Sequence, residues 1–80
     1  MPKRTFTIHC EWDAEAKVWY VAESDVPGLA AEASTVEAMQ AVLIERIPEL
    51  IRANVPEAKA HCEVPFEMLL KKSESVRLPC

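Results

Sequence analysis

Glycine is almost absent from this sequence, because Gly28 is the single one among 80 residues. Phosphate cradles use several glycines to bring the backbone close to the anion, so a nucleotide-binding loop is excluded. No apolar run approaches the ~18 residues that span a bilayer, and no signal segment with a charged start and an apolar core opens the chain. We therefore expect a cytoplasmic protein without membrane contact.

Cysteine occurs three times, as Cys10, Cys62 and Cys80, without C-x-x-C spacing. This odd count fits a reducing compartment rather than a disulfide framework. His9-Cys10 and His61-Cys62 offer four potential zinc ligands, but neighbours on a strand point to opposite faces, so one site cannot easily collect both members of a pair. A Cys62 nucleophile beside His61 is the enzymatic alternative, and nothing in the sequence orients that imidazole. We expect no catalytic site, no metal and no cofactor, and the roles of Cys62 and Cys80 stay open.

The composition is globular, with 50% apolar and 28% charged residues. A chain this short holds one core, so we predict a single domain over residues 1–72 and a polar tail over residues 73–80. The net charge is −4, and seven acids face one base between Glu11 and Glu37. Such a region attracts a basic partner, and a merely solvated acidic face is the alternative. Direct binding of nucleic acid is not expected, because no basic stripe with interleaved aromatics is present.

Alternating hydrophobicity predicts the strands. Residues 5–12 alternate cleanly, with Phe6, Ile8, Cys10 and Trp12 on one face. Residues 18–22 are aromatic and β-branched, and the short polar link between the two segments predicts an antiparallel hairpin. A short third strand is expected at residues 29–33 and a fourth at residues 64–71, where Pro65 favours an edge position.

A turn and a helix start separate these segments. Asp25-Val26-Pro27-Gly28 predicts a type II turn, since Pro27 presets φ and Gly28 supplies a positive φ. Ser34-Thr35-Val36-Glu37 matches a capping box, with Ser34 as the cap and Glu37 three residues later.

A helix then extends to residue 52 or 53. Pro48 lies inside it and predicts a kink or a break into two helices. Its main apolar stripe consists of Val36, Met39, Leu43, Ile47, Leu50 and Ile51. The order is therefore β-β-β-α-β, a two-layer α+β domain in which the fourth strand returns parallel to the first by a right-handed crossover. The helix covers one face of the sheet and leaves the other open.

Apolar residues exceed what this core requires. Ala38, Ala41, Val42 and Ile44 widen the apolar arc of the helix, and the second strand is apolar on both faces. A small core that uses all of them is one interpretation, and a protein interface is the other. The candidate partner-binding residues are Glu11, Asp13, Glu15, Trp19, Glu23 and Val42.

Two segments together resemble the core of HicB-type antitoxins. They are the run from Val18 to Leu29, with its Asp-x-Pro-Gly turn, and the run from Ala33 to Ala38, with its Thr-x-Glu-Ala helix start. The likeness spans residues 5–71 and is closest to the short stand-alone HicB-like proteins. It implies a partial ribonuclease-H-like fold without the nuclease acids, often dimeric. It also implies structural roles for the matched positions Asp25, Pro27, Gly28, Ser34 and Glu37.

The resemblance also implies a partner. HicB-type proteins bind and block a small basic ribonuclease toxin, HicA, and many repress their own operon through a C-terminal DNA-binding segment. Only eight residues follow Lys72 here, so operator binding by this chain is not expected. The leading hypothesis is a non-enzymatic antitoxin-like module with a HicA-like partner. The alternative is a self-associating structural or regulatory homodimer with no toxin.

Overall fold

The computed structural model describes residues 5–54 and 64–79. In chain order they form β1 (Phe6–Asp13), β2 (Val18–Ser24), β3 (Glu32–Ala33), α1 (Val36–Asn54) and β4 (Phe66–Lys71). The four strands make one mixed sheet in the order β3-β2-β1-β4. β2 pairs antiparallel with both β1 and β3, and β4 pairs parallel with β1. The α+β class, the β-β-β-α-β order and the parallel fourth strand are confirmed. His61, Cys62 and Cys80 lie outside the described residues.

The core lies between the sheet and α1. Phe6, Ile8 and Cys10 are buried on one face of β1, as the alternation predicts. From α1 come the buried side chains of the predicted stripe, Met39, Leu43, Ile47 and Ile51. Fully burying a side chain of this size stabilises the fold by roughly 1.5–3 kcal/mol. This packing covers one face of the sheet and positions the opposite face, which α1 does not contact.

A tight turn closes the β1–β2 hairpin. The Asp13 carboxylate accepts hydrogen bonds from the backbone N–H groups of Glu15 (3.0 Å) and Ala16 (3.2 Å). The Lys17 N–H donates to the Asp13 carbonyl (2.7 Å), and Lys17 has a φ of 58°. Further along, the register shifts between His9 and Cys10, so that β2 carries one extra residue there.

The predicted type II turn is present. The Leu29 N–H donates to the Val26 carbonyl (3.3 Å) across Pro27 and Gly28, and Gly28 has a φ of 76°. The third strand is shorter than the predicted residues 29–33. Leu29 belongs to the turn, and only Glu32–Ala33 forms a strand, although the Val21 N–H also donates to the Ala31 carbonyl (3.1 Å). The Ala30 carbonyl accepts from the Arg46 guanidinium of α1 (2.8 Å).

The start of α1 differs from the prediction by one residue. The Thr35 hydroxyl accepts from the Ala38 N–H (3.0 Å), so Thr35 caps the helix and Ser34 lies outside it. With the cap moved, Glu37 lies in the first turn, where a carboxylate favours the helix dipole. Of the two effects predicted for Pro48, the break into two helices is wrong, because α1 is one helix from Val36 to Asn54, and the kink stays a prediction. Pro48 faces solvent, while buried side chains on both sides of it hold the helix against the sheet.

Candidate protein-binding surface

The face of the sheet opposite α1 is the candidate surface, and we call it the open face. It is built from the odd-numbered positions of β1 and the residues that pair with them on the neighbouring strands, since register partners point the same way. Its members are Thr7, His9, Glu11, Asp13, Val18, Tyr20, Glu23, Glu32, Glu67, Leu69 and Lys71. Within the described ranges no second layer covers this face.

One row of the open face crosses all four strands. Glu32 pairs with Tyr20, Tyr20 with Glu11, and Glu11 with Lys71. Strand neighbours lie about 4.8 Å apart, so the row spans roughly 14 Å. Tyr20 is 36% exposed at its centre, and its ring lies between two carboxylates. This row can receive a cationic side chain, which both the carboxylates and the aromatic face attract.

Carboxylates dominate the charge of the open face. Five acids, Glu11, Asp13, Glu23, Glu32 and Glu67, share it with Lys71 as the single base apart from His9. None of the five has an ion-pair partner in the part of the chain that the structure describes. Glu11 and Glu32 are two strands apart, roughly 10 Å, so their repulsion in water costs only about 0.4 kcal/mol. The fold tolerates this repulsion, and a basic partner would gain binding free energy from attraction to these carboxylates.

The predicted partner-binding residues do not form one surface. Glu11 and Glu23 lie on the open face. Asp13 and Glu15 lie at the hairpin turn, where the Asp13 carboxylate already binds two backbone N–H groups and is therefore structural. Val42 is half-buried on α1, remote from the open face.

Trp19 requires a correction. It is 9% exposed and belongs to the core on the α1 side of the sheet, so it offers no surface to a partner. Its ring packs edge-on against Trp12, with centroids 5.4 Å apart at 62°. The two faces of β2 do differ, but the aromatic that reaches solvent is Tyr20.

Sequence reasoning missed Tyr20, Glu32, Leu69 and Lys71 as members of the open face. Tyr20 carried a usable signal, since alternation along β2 places it opposite Trp19. Glu32 carried none, because a strand of two residues has no period to detect. Leu69 and Lys71 follow only when β4 is known to pair with β1 in this register.

Comparison with known proteins identifies the family. The family model described as "Domain of unknown function (DUF1902)" matches residues 5–79. The chain belongs to the DUF1902 family. It is also similar to the crystal structure of hypothetical protein TTHA1013 from the extremely thermophilic bacterium Thermus thermophilus. The two are 39% identical with a TM-score of 0.64, over 94% of this chain and 100% of that one. No curated protein matches the chain.

The turn motif of this DUF1902 chain has a structural role. The Asp25 carboxylate accepts from the Thr7 N–H (3.0 Å), and the Asp25 N–H donates to the Thr7 carbonyl (3.1 Å). Asp25 thus extends the pairing of β1 beyond the end of β2 and directs Val26 into the core, where it is 2% exposed. Pro27 and Gly28 then reverse the chain.

Cys10 and His9 of this DUF1902 chain point to opposite sides of β1. Cys10 is fully buried, and this burial raises the pKa of its thiol. A buried thiol kept neutral is a poor nucleophile and a poor metal ligand. His9 is exposed on the open face. No group of three or more potential metal ligands occurs within residues 5–54 and 64–79, and none of the helices there has the length and apolar character to cross a membrane.

Proposed function

We propose that this protein is a protein-binding module that presents its acidic open face to a small basic protein, as HicB-type antitoxins hold HicA-like ribonucleases. The observation that carries the proposal is the row Glu32–Tyr20–Glu11–Lys71, in which two carboxylates, without ion-pair partners among residues 5–54 and 64–79, flank an exposed ring. The protein itself performs no catalysis in this proposal. Its site of action is the cytoplasm, where a ribonuclease toxin would meet its RNA.

Three features support the proposal. A cation about 4 Å from a carboxylate gains about 1 kcal/mol in water and more when water is excluded, so several such pairs contribute part of the roughly 8 kcal/mol that micromolar binding requires. The partial ribonuclease-H-like arrangement implied by the HicB resemblance is compatible with the antiparallel β1–β2–β3 unit and the parallel β4. No side-chain hydrogen bond of Glu11, Glu23, Glu32 or Glu67 is seen within residues 5–54 and 64–79, so substituting these four acids removes no such structural contact.

The test uses the small basic protein encoded beside this one, if its gene neighbourhood holds one, and isothermal titration calorimetry. Charge reversal of Glu11→Lys with Glu23→Lys should weaken binding by at least ~tenfold, because two attractive contacts become repulsive. The matched control is Glu45→Lys with Glu49→Lys, which changes the net charge equally on the exposed side of α1. The control should bind like the wild type.

Two results would contradict the proposal. One is equal weakening in both double variants, which would mean that only net charge matters. The other is an open-face variant that still binds the partner and still relieves its toxicity. Rising salt should weaken the wild-type complex, since exposed charge pairs are screened within a Debye length of about 8 Å at 0.15 M.

A further inference from the structure

The outer edge of β4 is unpaired in the described part of the chain, because β4 ends the strand order and pairs only with β1. The Phe6 N–H donates to the Pro65 carbonyl (3.1 Å). Backbone groups alternate in direction along a strand, so Phe66, Met68 and Leu70 direct their N–H and C=O groups away from β1. These groups form a template on which another strand can pair.

This edge lacks most of the usual protection against pairing. Pro65 precedes β4 and Lys71 ends it, but Glu67 is the only charged residue between them. Leu69 is 46% exposed and Leu70 is 43% exposed. Leu70 lies on the α1 side of the sheet beside Cys10, yet it is not covered as the core residues are. A six-residue edge with four apolar residues of this kind is a site of association.

The C-terminal arm, which we define as residues 72–79, continues β4 past the end of the sheet. Lys72 follows the last β1–β4 pair, Glu11 with Lys71, and its ammonium lies 4.7 Å from the centroid of the Trp12 ring. Beyond this contact the chain has no regular structure. The molecule measures 60 × 24 × 18 Å, and its radius of gyration is 15.4 Å, against about 12 Å for a compact chain of this length. These dimensions are those of an elongated molecule.

The sequence of the arm has the pattern of a strand. Val76 and Leu78 share one side of an extended chain and are 84% and 76% exposed, while Ser75 and Arg77 take the other side. Seven residues beyond Lys72 reach about 23 Å when extended. Side chains this apolar are stabilised only when another surface covers them.

We propose that the arm pairs with the β4 edge of a second copy of this chain, so that two copies exchange arms around a two-fold axis. With the axis at Ser73, antiparallel pairing sets Val76 opposite Leu70 of the second copy and Leu78 opposite its Met68. Even-numbered residues then meet even-numbered ones, so both apolar arm residues lie on the α1 side of the other sheet and cover its exposed Leu70. The same register sets Glu74 of each copy opposite Lys72 of the other, so the interface contains two such pairs.

The charges of the arm favour a second copy of the chain as the partner of the β4 edge. Residues 71–79 carry three bases, Lys71, Lys72 and Arg77, against Glu74, and Arg77 would reach the open side of the second sheet beside Glu67. In the single chain the Lys72 Nζ already lies 3.4 Å from the Glu74 Oε1. Arm exchange therefore replaces this ion pair with an equivalent one between copies. The proposal is independent of a basic partner, because it uses the edge of the sheet and not the open face.

Sedimentation of the full chain tests the proposal. The wild type should sediment at about 18 kDa at micromolar concentration, twice the 9.0 kDa of one chain. Val76→Asp with Leu78→Asp should sediment as a monomer with unchanged circular dichroism, since both side chains are exposed. Ile44→Asp, which changes an apolar residue of α1 that is 56% exposed, should remain a dimer. A monomeric wild type, or a dimer that survives the arm substitutions, overturns the proposal.

A mixing experiment tests the register. Lys72→Glu places only acids at positions 72 and 74, and Glu74→Lys places only bases there, so each variant alone should dimerise more weakly than the wild type at low salt. Mixed together, they should form a heterodimer, because every cross-copy pair is then opposite in charge. Adding Val76→Asp to both should abolish the heterodimer. Homodimers of either variant as strong as the wild-type dimer, or a heterodimer no stronger than the homodimers, would show that positions 72 and 74 do not meet across the interface.

Discussion

Gly28→Ala isolates the backbone strain at the Asp-x-Pro-Gly turn from steric crowding. Gly28 has a φ of 76°, which costs a residue with a Cβ roughly 1–2 kcal/mol. A Cβ built there would meet Leu50 Cδ2 at 3.8 Å, an ordinary van der Waals contact. The stiffer unfolded chain of the variant returns roughly 0.4–1 kcal/mol. We therefore expect a net loss of about 1 kcal/mol in the free energy of unfolding.

Thermal and urea unfolding measure this loss. For a domain of this size about 1 kcal/mol corresponds to a fall in Tm of roughly 4–8 °C. Gly28→Asn should cost less, because asparagine tolerates the left-handed region, and Gly28→Val should cost more, because it is β-branched. In a Leu50→Ala background the cost of Gly28→Ala should be unchanged within ~0.3 kcal/mol. If that background removes the cost, crowding by Leu50 is its source and the backbone argument is refuted.

Three further substitutions or modifications test the assignments of single residues. Thr35→Ala should lower the free energy of unfolding by about 1 kcal/mol through loss of the α1 cap, whereas Ser34→Ala, one residue outside the helix, should change it by less than ~0.5 kcal/mol in urea titrations. Asp25→Ala should cost about 1–2 kcal/mol by removing the carboxylate that accepts the Thr7 N–H, and an unchanged urea midpoint would contradict that role. Because burial raises the pKa of the Cys10 thiol, mass-spectrometric mapping at pH 8 should show iodoacetamide reacting with Cys10 far more slowly in the folded protein than in urea.

Local patterns predict the elements of this fold better than their ends. The alternation of β1, the stripe of α1 and the Pro27-Gly28 turn each rest on interactions within a few residues, and the structure confirms all three. Beside β3 lies a contact between residues distant in sequence, since the Arg46 guanidinium donates to the Ala30 carbonyl. Such a contact leaves no period in the sequence.

The two failures on α1 have different causes. Ser34 and Thr35 are both good caps, and their order is decided by which hydroxyl reaches a free N–H, here that of Ala38. The predicted break at Pro48 does not occur, because the low helix propensity of proline competes with the packing of α1 against the sheet. A proline within a helix costs about 3 kcal/mol, while burying Leu43, Ile47 and Ile51 on both sides of it contributes more.

The candidate surface was predictable in its charge but not in its composition. The excess of acids between Glu11 and Glu37 is visible in the sequence, but pairing with β3 and β4 decides which of them share a face with Tyr20. Trp19 was misassigned because both faces of β2 are apolar, and only the position of α1 shows which face is buried.

The two proposed interfaces use different parts of the sheet and respond differently to salt. Arm exchange would extend the sheet sideways, so the open faces of two copies would lie side by side and present twice the five carboxylates of one chain. Partner binding rests on exposed charges and should weaken as salt rises. Arm exchange rests mainly on backbone pairing and on covering Val76, Leu78 and Leu70, which salt does not screen. High salt should therefore release a basic partner and leave the dimer intact, whereas loss of both together would mean that the two interfaces are one.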